Sequence, residues 1–383
     1  MIKQVLIIGP AYPLRGGLAT FDQRLCEQFI QEGFQCSIIS FSLQYPSVLF
    51  PGKTQLSTEG QPPGITIYSL INSINPFNWL MVGRKLRKWK PDLIVVRYWI
   101  PFMGPALGTL LRQVKKNKHT KVVCIADNIV PHEKRLGDKA FTRYFLKACD
   151  AFITMSEQVL NQLKQLEIKK PVQLVQHPLY DNFGTAVSKY NARKKLELNI
   201  DDKIVLFFGF IRHYKGLDLL IKAMAGEKIQ SRNIKLLIAG EFYEDEKSYL
   251  QLIENLKLSG RILLHTHFIP DSEVKYYLCA ADCVVQPYRN ATQSGVTPLS
   301  YHFEKPMIVT NVGSLPDLVP DGRAGLVCLP EPESIAAAIL QFYELGEEYF
   351  IPHLRLEKQK YSWDKLTGSI LHLADIIDAN KIN

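Results

Sequence analysis

Thirteen short apolar runs, most of them separated from the next by a longer amphipathic stretch, set the tightest limit on how this chain can fold. The first half holds "QVLIIG", "CSIISF", "ITIYSL", "DLIVVR", "KVVCIA", "AFITM" and "VQLVQ". The second half holds "KIVLFFG", "IKLLIAG", "RILLH", "CVVQP", "PMIVT" and "GLVCL". Runs that are apolar throughout, rather than alternating, belong to strands buried on both faces. Intervening segments such as "GLDLLIKAMAG" and "DSEVKYYLCAAD" have helical periodicity and supply the covering layers. Two such series in 383 residues predict an α/β protein with two doubly wound, Rossmann-like domains facing across a cleft. Ligands of open α/β sheets lie beyond the carboxyl ends of the strands, so that cleft is the expected site.

The polar stretch "DNFGTAVSKYNARKKLELNIDDK" has no strand pattern and precedes a fresh strand at Lys203. Expected boundaries are therefore residues 1–185 for the first domain, 186–200 for a linker and 201–362 for the second domain. Residues 363–383 read as a C-terminal helix that packs back on the first domain.

Hydrophobic residues make up 46% of the chain and charged residues 22%, as in soluble globular proteins. "MIKQVLIIG" runs straight into a strand pattern, without a cleavable segment. The longest apolar region, "IVVRYWIPFMGPALGTLL", contains Arg97, Pro101 and Pro105, which argues against a membrane span. Seven cysteines are scattered without paired metal spacing. Cys279 and Cys283 read as reduced core thiols, which points to a cytoplasmic protein. Charge is uneven: through Asp181 there are 23 Lys and Arg against 12 Asp and Glu, and beyond it 23 against 25. The first half should face something anionic: phospholipid, a phosphorylated substrate or nucleic acid. No recognisable reading module accompanies the basic residues, so no nucleic acid is expected.

Three strand-to-helix turns carry residues suited to an anion. In "FFGFIRHYKG" the strand stops at Gly209, where a side chain would obstruct a ligand, and Gly216 opens the next helix. Arg212 can fork onto phosphate oxygens and Lys215 can add a point charge. Helix N–H groups point the same way, so a diphosphate would satisfy the whole set. The alternative is that both cations solvate an ordinary turn. In "GPAYPLRGGLATF", Gly16 and Gly17 follow the first strand and allow close backbone approach; the G-x-G-x-x-G dinucleotide spacing is absent. In "QPYRNATQSGVTPLS", Ser294, Gly295 and Val296 can offer backbone donors, or Ser294 serves as an N-cap.

In order and spacing, "PLRGG", "GFIRHYKGLDLL" and "PYRNATQSGV…YHFEKPMIVTNVGSLPDLV" resemble family 4 glycosyltransferases of the GT-B fold over nearly the whole chain. The resemblance implies an acceptor held mainly by the first domain and a nucleotide-sugar donor held mainly by the second. It also implies that Arg212 and Lys215 hold the donor diphosphate, that Gly16 and Gly17 sit beneath it, and that transfer retains anomeric configuration without a metal or other cofactor. The sequence contains no D-x-D carboxylate pair of the kind that holds a diphosphate through a divalent ion. Direct neutralisation by cations and helix N-termini stabilises a leaving diphosphate, at roughly 3 kcal/mol of barrier per contact.

Two departures stand out. Many relatives carry E-x7-E before the "KPMIVT" strand, where this chain has Ala291 and Leu299. Thr292 and Gln293 become the candidates for contacts to the sugar and ribose. Relatives often show His-Asn where this chain has Asp127 and Asn128, with His132 and Glu133 in the same loop. One of Asp127, His132 or Glu133 orients the acceptor or accepts its proton, or all three only cap the loop.

The basic stretch "GRKLRKWKPDL", with Arg84, Lys85, Arg87, Lys88 and Lys90 beside Leu86 and Trp89, suits an anionic membrane surface or a solvated helix end. "SLQYPSVLFPGKTQ" offers aromatic and aliphatic residues to a lipid tail. The expected activity is hexosyl transfer from a nucleoside-diphosphate sugar to a glycan or lipid-linked acceptor in surface polysaccharide or glycolipid assembly. The rivals are a nucleotide-sugar binding protein without turnover, and an epimerase or phosphorylase on the same fold.

Overall fold

A computed structural model describes residues 2–46, 54–57, 59–130, 137–291 and 294–382. The chain divides into two compact units. The first runs from the N-terminus through His177 and takes back the chain from Ser362 onward; the second holds Pro178–Tyr361.

The first unit is built on seven parallel strands: β1 (Gln4–Ile8), β2 (Gln35–Leu43), β3 (Thr66–Asn72), β4 (Leu93–Tyr98), β5 (Lys121–Ala126), β6 (Ala151–Thr154) and β7 (Val172–Leu174). Their order is β3-β2-β1-β4-β5-β6-β7. The second unit has β8 (Lys203–Phe208), β9 (Ile234–Ala239), β10 (Ile262–His265), β11 (Cys283–Gln286), β12 (Met307–Thr310) and β13 (Gly325–Cys328), ordered β10-β9-β8-β11-β12-β13. Each of the thirteen apolar runs became a strand among the described residues. Every residue of β4 is buried, and Leu6, Ile8, Ile94, Val96, Val122 and Cys124 share one core with Phe145 and Phe152 from neighbouring elements. Continuous apolar strands must be covered on both faces, and the crossover helices do this.

In each sheet the strand order reverses once. The reversal separates β1 from β4, paired at Val5↔Leu93, and β8 from β11, paired at Cys283↔Val205. Successive loops diverge at such a point and leave room beyond the carboxyl ends. The turns carrying Gly16–Gly17, Asp127, Gly209–Gly216 and Ser294 all follow strands at or next to these points.

One region differs from the sequence expectation. The stretch 186–200 is not an open linker: Lys189–Lys195 is a helix capped by Ser188. Buried Arg193 holds it, donating from Nε to Ala280 O at 2.9 Å and pairing with Asp282 at 3.0 Å. Lys189 of the same helix pairs with Asp282 at 2.8 Å and with Glu347, so two cations tie this polar segment to distant parts of the second unit. The last helix, Trp363–Ile382, belongs to the first unit. Trp363 lies against Phe21 (4.9 Å between ring centroids), Arg24 lies over the Trp363 ring, and Thr367 Oγ1 donates to Glu32 at 2.6 Å. All seven cysteines are free thiols, six buried and Cys36 half-buried. Among the described residues no helix is long and apolar enough to cross a membrane.

Candidate functional site

In the second unit, β8 ends at Gly209, whose φ of +96° suits glycine. A Cβ there would lie 3.3 Å from Lys215 Nζ and 3.9 Å from Val296 Cγ2, so the bare backbone faces the ammonium. The chain then crosses to β9's loop, with Ile211 N donating to Glu241 O at 2.9 Å and Tyr243 N to Ile211 O at 3.0 Å. His213–Lys215 form a tight turn, closed by Lys215 N to Arg212 O (2.9 Å) and Gly216 N to His213 O (3.0 Å). Gly216, at φ +66°, caps the helix Leu217–Met224. A Cβ at Gly216 would fall 1.9 Å from Pro287 O, so only glycine lets the β8 and β11 turns meet.

Five hydrogen bonds that the sequence reading missed clamp this turn. Arg289 donates two hydrogen bonds to Asp218, both 2.6 Å, and a third from Nη1 to His213 O at 3.1 Å. Its backbone N donates to Tyr214 O at 2.7 Å. Glu244 Oε1 accepts from His213 N at 2.5 Å, reaching this turn from just before the helix Glu246–Asn255. Burial disfavours the Asp218 carboxylate, but Arg289's hydrogen bonds and charge prevail and hold its pKa below the usual range. An acid opening a helix and an arginine after a strand, 71 residues on, give no sequence sign of pairing.

The two cations remain outside this clamping. Arg212 is exposed, with its guanidinium 5.1 Å from the Tyr243 ring centroid, and half-buried Lys215 sits 5.8 Å from the Tyr288 ring. Among the described residues neither forms an ion pair with a carboxylate. Burial, with Arg212's charge added, pushes the Lys215 ammonium down to about 7. The turn therefore holds positive charge without internal compensation.

The β11 turn arrives alongside. Ser294 Oγ donates to Gln286 Oε1 at 2.6 Å and accepts from Val296 N at 3.2 Å, while Tyr288 OH lies 3.3 Å away. Ser294 is buried and spends its hydroxyl on these internal contacts, while Gly295 takes the N-cap position of the helix Val296–His302. Gly295 stays exposed, beside the Tyr180 ring. Ala291 and Leu299, at the places of the glutamate pair, are buried in apolar packing. Thr292 and Gln293 lie outside the described residues.

In the first unit, Gly16 (φ 104°) caps the helix Gly17–Gln31, and Thr20 N donates to Gly16 O at 3.1 Å. One turn on, Phe21 and Asp22 reach Arg97 at the end of β4. Arg97 forks onto Asp127, Nε to Oδ2 at 2.6 Å and Nη2 to Oδ1 at 2.8 Å, and lies 3.4 Å from Asp22. The Phe21 ring lies 3.9 Å from the guanidinium. A Cβ on Gly9 would meet Asp22 Oδ2 at 2.1 Å, so glycine admits this buried carboxyl. Burial raises Asp22 to about 8, with Arg97 opposing and Asp127 adding to the rise. Burial likewise raises Asp127 against Arg97's pull. With both oxygens taken by Arg97, Asp127 has the geometry of a positioning carboxylate rather than a free proton acceptor. Asn128, half-buried, follows it; His132 and Glu133 lie outside the described residues. The signal for this network was in the sequence: Arg97 is the one charge inside an otherwise apolar strand.

Two parallel, doubly wound sheets, each with a glycine-bearing turn where its strand order reverses, define the GT-B architecture. Sucrose-phosphate synthase from Thermosynechococcus elongatus superposes with a TM-score of 0.75 at 17% identity, over 99% of this chain and all of that one. WaaG, a glycosyltransferase involved in lipopolysaccharide biosynthesis, gives 0.69 at 15% identity, over 97% and 99%. Anabaena HepE in complex with UDP gives 0.69 at 14%, over 98% and 99%. Residues 15–179 match Glycosyltransferase Family 4, and residues 188–359 match Glycosyl transferases group 1. This chain belongs to the family 4 glycosyltransferases. An uncharacterized glycosyltransferase of Methanocaldococcus jannaschii is 28% identical over 193 residues, 49% of this chain and 48% of that one. D-inositol 3-phosphate glycosyltransferase of Corynebacterium urealyticum is 27% identical over 203 residues, 50% and 47% respectively. These two matches span about half the length of each relative.

Proposed function

We propose that this protein transfers a hexosyl group from a nucleoside-diphosphate sugar to a glycan or lipid-linked acceptor in the assembly of a surface polysaccharide or glycolipid. The second unit binds the donor and the first the acceptor. Transfer proceeds with retention and without a divalent ion. The observation carrying this reading is the uncompensated pair Arg212 and Lys215 beside the bare Cα of Gly209, at a helix start held open by Gly216. A departing diphosphate is stabilised by positive charge on a preorganised turn, and the clamp of Arg289, Asp218 and Glu244 holds the backbone of the turn that carries both cations. Structures of HepE with UDP and with UDP-glucose, and the 25% identity to a putative teichuronic acid biosynthesis glycosyltransferase of Bacillus subtilis, support this donor and acceptor class.

The test is calorimetry of UDP, GDP and ADP binding to the parent and to Arg212→Ala/Lys215→Ala, followed by turnover of the matching sugar nucleotide. The double variant should lose at least a hundredfold in both affinity and rate, since each contact to a developing charge is worth roughly 3 kcal/mol. Parent-like binding and turnover in the variant would overturn the assignment. Binding by the parent without any turnover would leave a binding protein.

A further inference from the structure

The helix Pro76–Trp89 has an outward face that nothing in its own unit covers. Asn75 Oδ1 caps it, accepting from Phe77 N (3.0 Å) and Asn78 N (3.2 Å), and Val82, Gly83 and Leu86 are its buried side. At about 100° per residue, Phe77, Met81, Arg84, Lys85 and Lys88 fall within a single arc of roughly 100°. Phe77 is 84% exposed and Met81 62%, and Ile74, just before the cap, is 51% exposed. Large apolar side chains seldom stand this far out, and here two sit one turn apart.

The composition differs from the one that the sequence suggested. Leu86 is core, and Trp89 packs against Tyr68 (5.2 Å) beneath Lys85. The apolar part of the face comes from the other end of the helix. Residues 60–91 contain no Asp or Glu but carry Arg84, Lys85, Arg87, Lys88 and Lys90. Among the described residues Arg84, Lys85 and Lys88 form no ion pair.

We propose that this face docks on an anionic phospholipid surface, with Ile74, Phe77 and Met81 entering the headgroup–acyl boundary and Arg84, Lys85 and Lys88 resting on lipid phosphates. Apolar anchors beside an uninterrupted run of cations fit a surface that is negative outside and apolar beneath. A second copy of the chain fits poorly, because a two-fold contact would oppose like charges. The proposal stands independently of the transfer reaction.

Co-sedimentation with vesicles tests it, using phosphatidylcholine alone against an equimolar mixture with phosphatidylglycerol. The parent should bind the mixed vesicles, not the neutral ones, and bind less as sodium chloride rises. Arg84→Gln/Lys85→Gln/Lys88→Gln should weaken binding about a hundredfold, on the order of fivefold per cation. Phe77→Ser/Met81→Ser should weaken it about tenfold or more. These side chains are exposed, so melting temperature and nucleotide binding should stay unchanged in both variants. No binding to mixed vesicles overturns the proposal. Binding that needs the cations but not Phe77 and Met81 also overturns it, pointing to a generic polyanion. Self-association removed by Phe77→Ser/Met81→Ser would assign the face to a second copy instead.

Discussion

Under the proposed function, Lys215 should make donor binding depend on pH in a direction that can be worked out. Its ammonium is pushed down to about 7 by burial and by Arg212, against an ordinary value near 10.5. Without ligand, the unfolded chain keeps the proton between pH 7 and about 10.5 while the folded one does not. Unliganded stability should therefore rise with pH across that window. A bound diphosphate reverses the local preference, because an adjacent anion favours the ammonium. Above pH 7, binding then requires uptake of about one proton. The dissociation constant should weaken by about tenfold per pH unit above 7, or about fiftyfold between pH 7 and 9, equivalent to roughly 2.3 kcal/mol. Phosphate ionises near pH 6 and does not contribute to this slope. Calorimetry at pH 7, 8 and 9, in buffers of different ionisation enthalpy, measures affinity and proton uptake together. Lys215→Met should bind weakly with a flat profile, and His213→Gln should keep the slope, separating the neighbouring imidazole from the amine. A pH-independent parent affinity with no proton uptake would refute this account of the charge at Lys215.

Two further substitutions probe the frame around the sites. Gly216 and Gly322 have nearly the same φ, +66° and +68°, but of the two only Gly216 meets another backbone oxygen, Pro287 O at 1.9 Å. Gly322→Ala should cost about 1 kcal/mol, from the left-handed conformation alone, whereas Gly216→Ala should cost at least about 2 kcal/mol and abolish nucleotide binding. Equal melting-temperature losses would show that the close approach carries no weight. Arg97→Met strands Asp22 and Asp127 in the interior and should cost roughly 3–5 kcal/mol in urea unfolding, with much of it regained by adding Asp127→Asn. A loss under about 1 kcal/mol would show that the fork is not needed.

Much of the architecture was readable in order along the chain. Most of the short apolar runs lack alternation, as strands of covered parallel sheets do, so the class of fold and the thirteen strands, three to nine residues long, were legible along the sequence. Turn positions were equally readable, because glycines and cations stand where the apolar runs stop. The pairings were not, since they join residues far apart in sequence. Arg289 and Asp218 clamp the Gly209–Gly216 turn from 71 residues apart, and Arg97 fixes Asp127 from 30 residues away. Arg193 and Lys189 likewise tie down as a helix a segment whose composition reads as linker. Side-chain direction was also hidden: the helix at 76–89 shows its basic residues to any reader, but only packing decides that Trp89 and Leu86 turn inward while Phe77 and Met81 stand out. Local chemistry sets which elements form, because burial and backbone propensity act residue by residue. Which charges are left without partners, and so able to meet a ligand, depends on contacts that exist only once distant strands lie side by side.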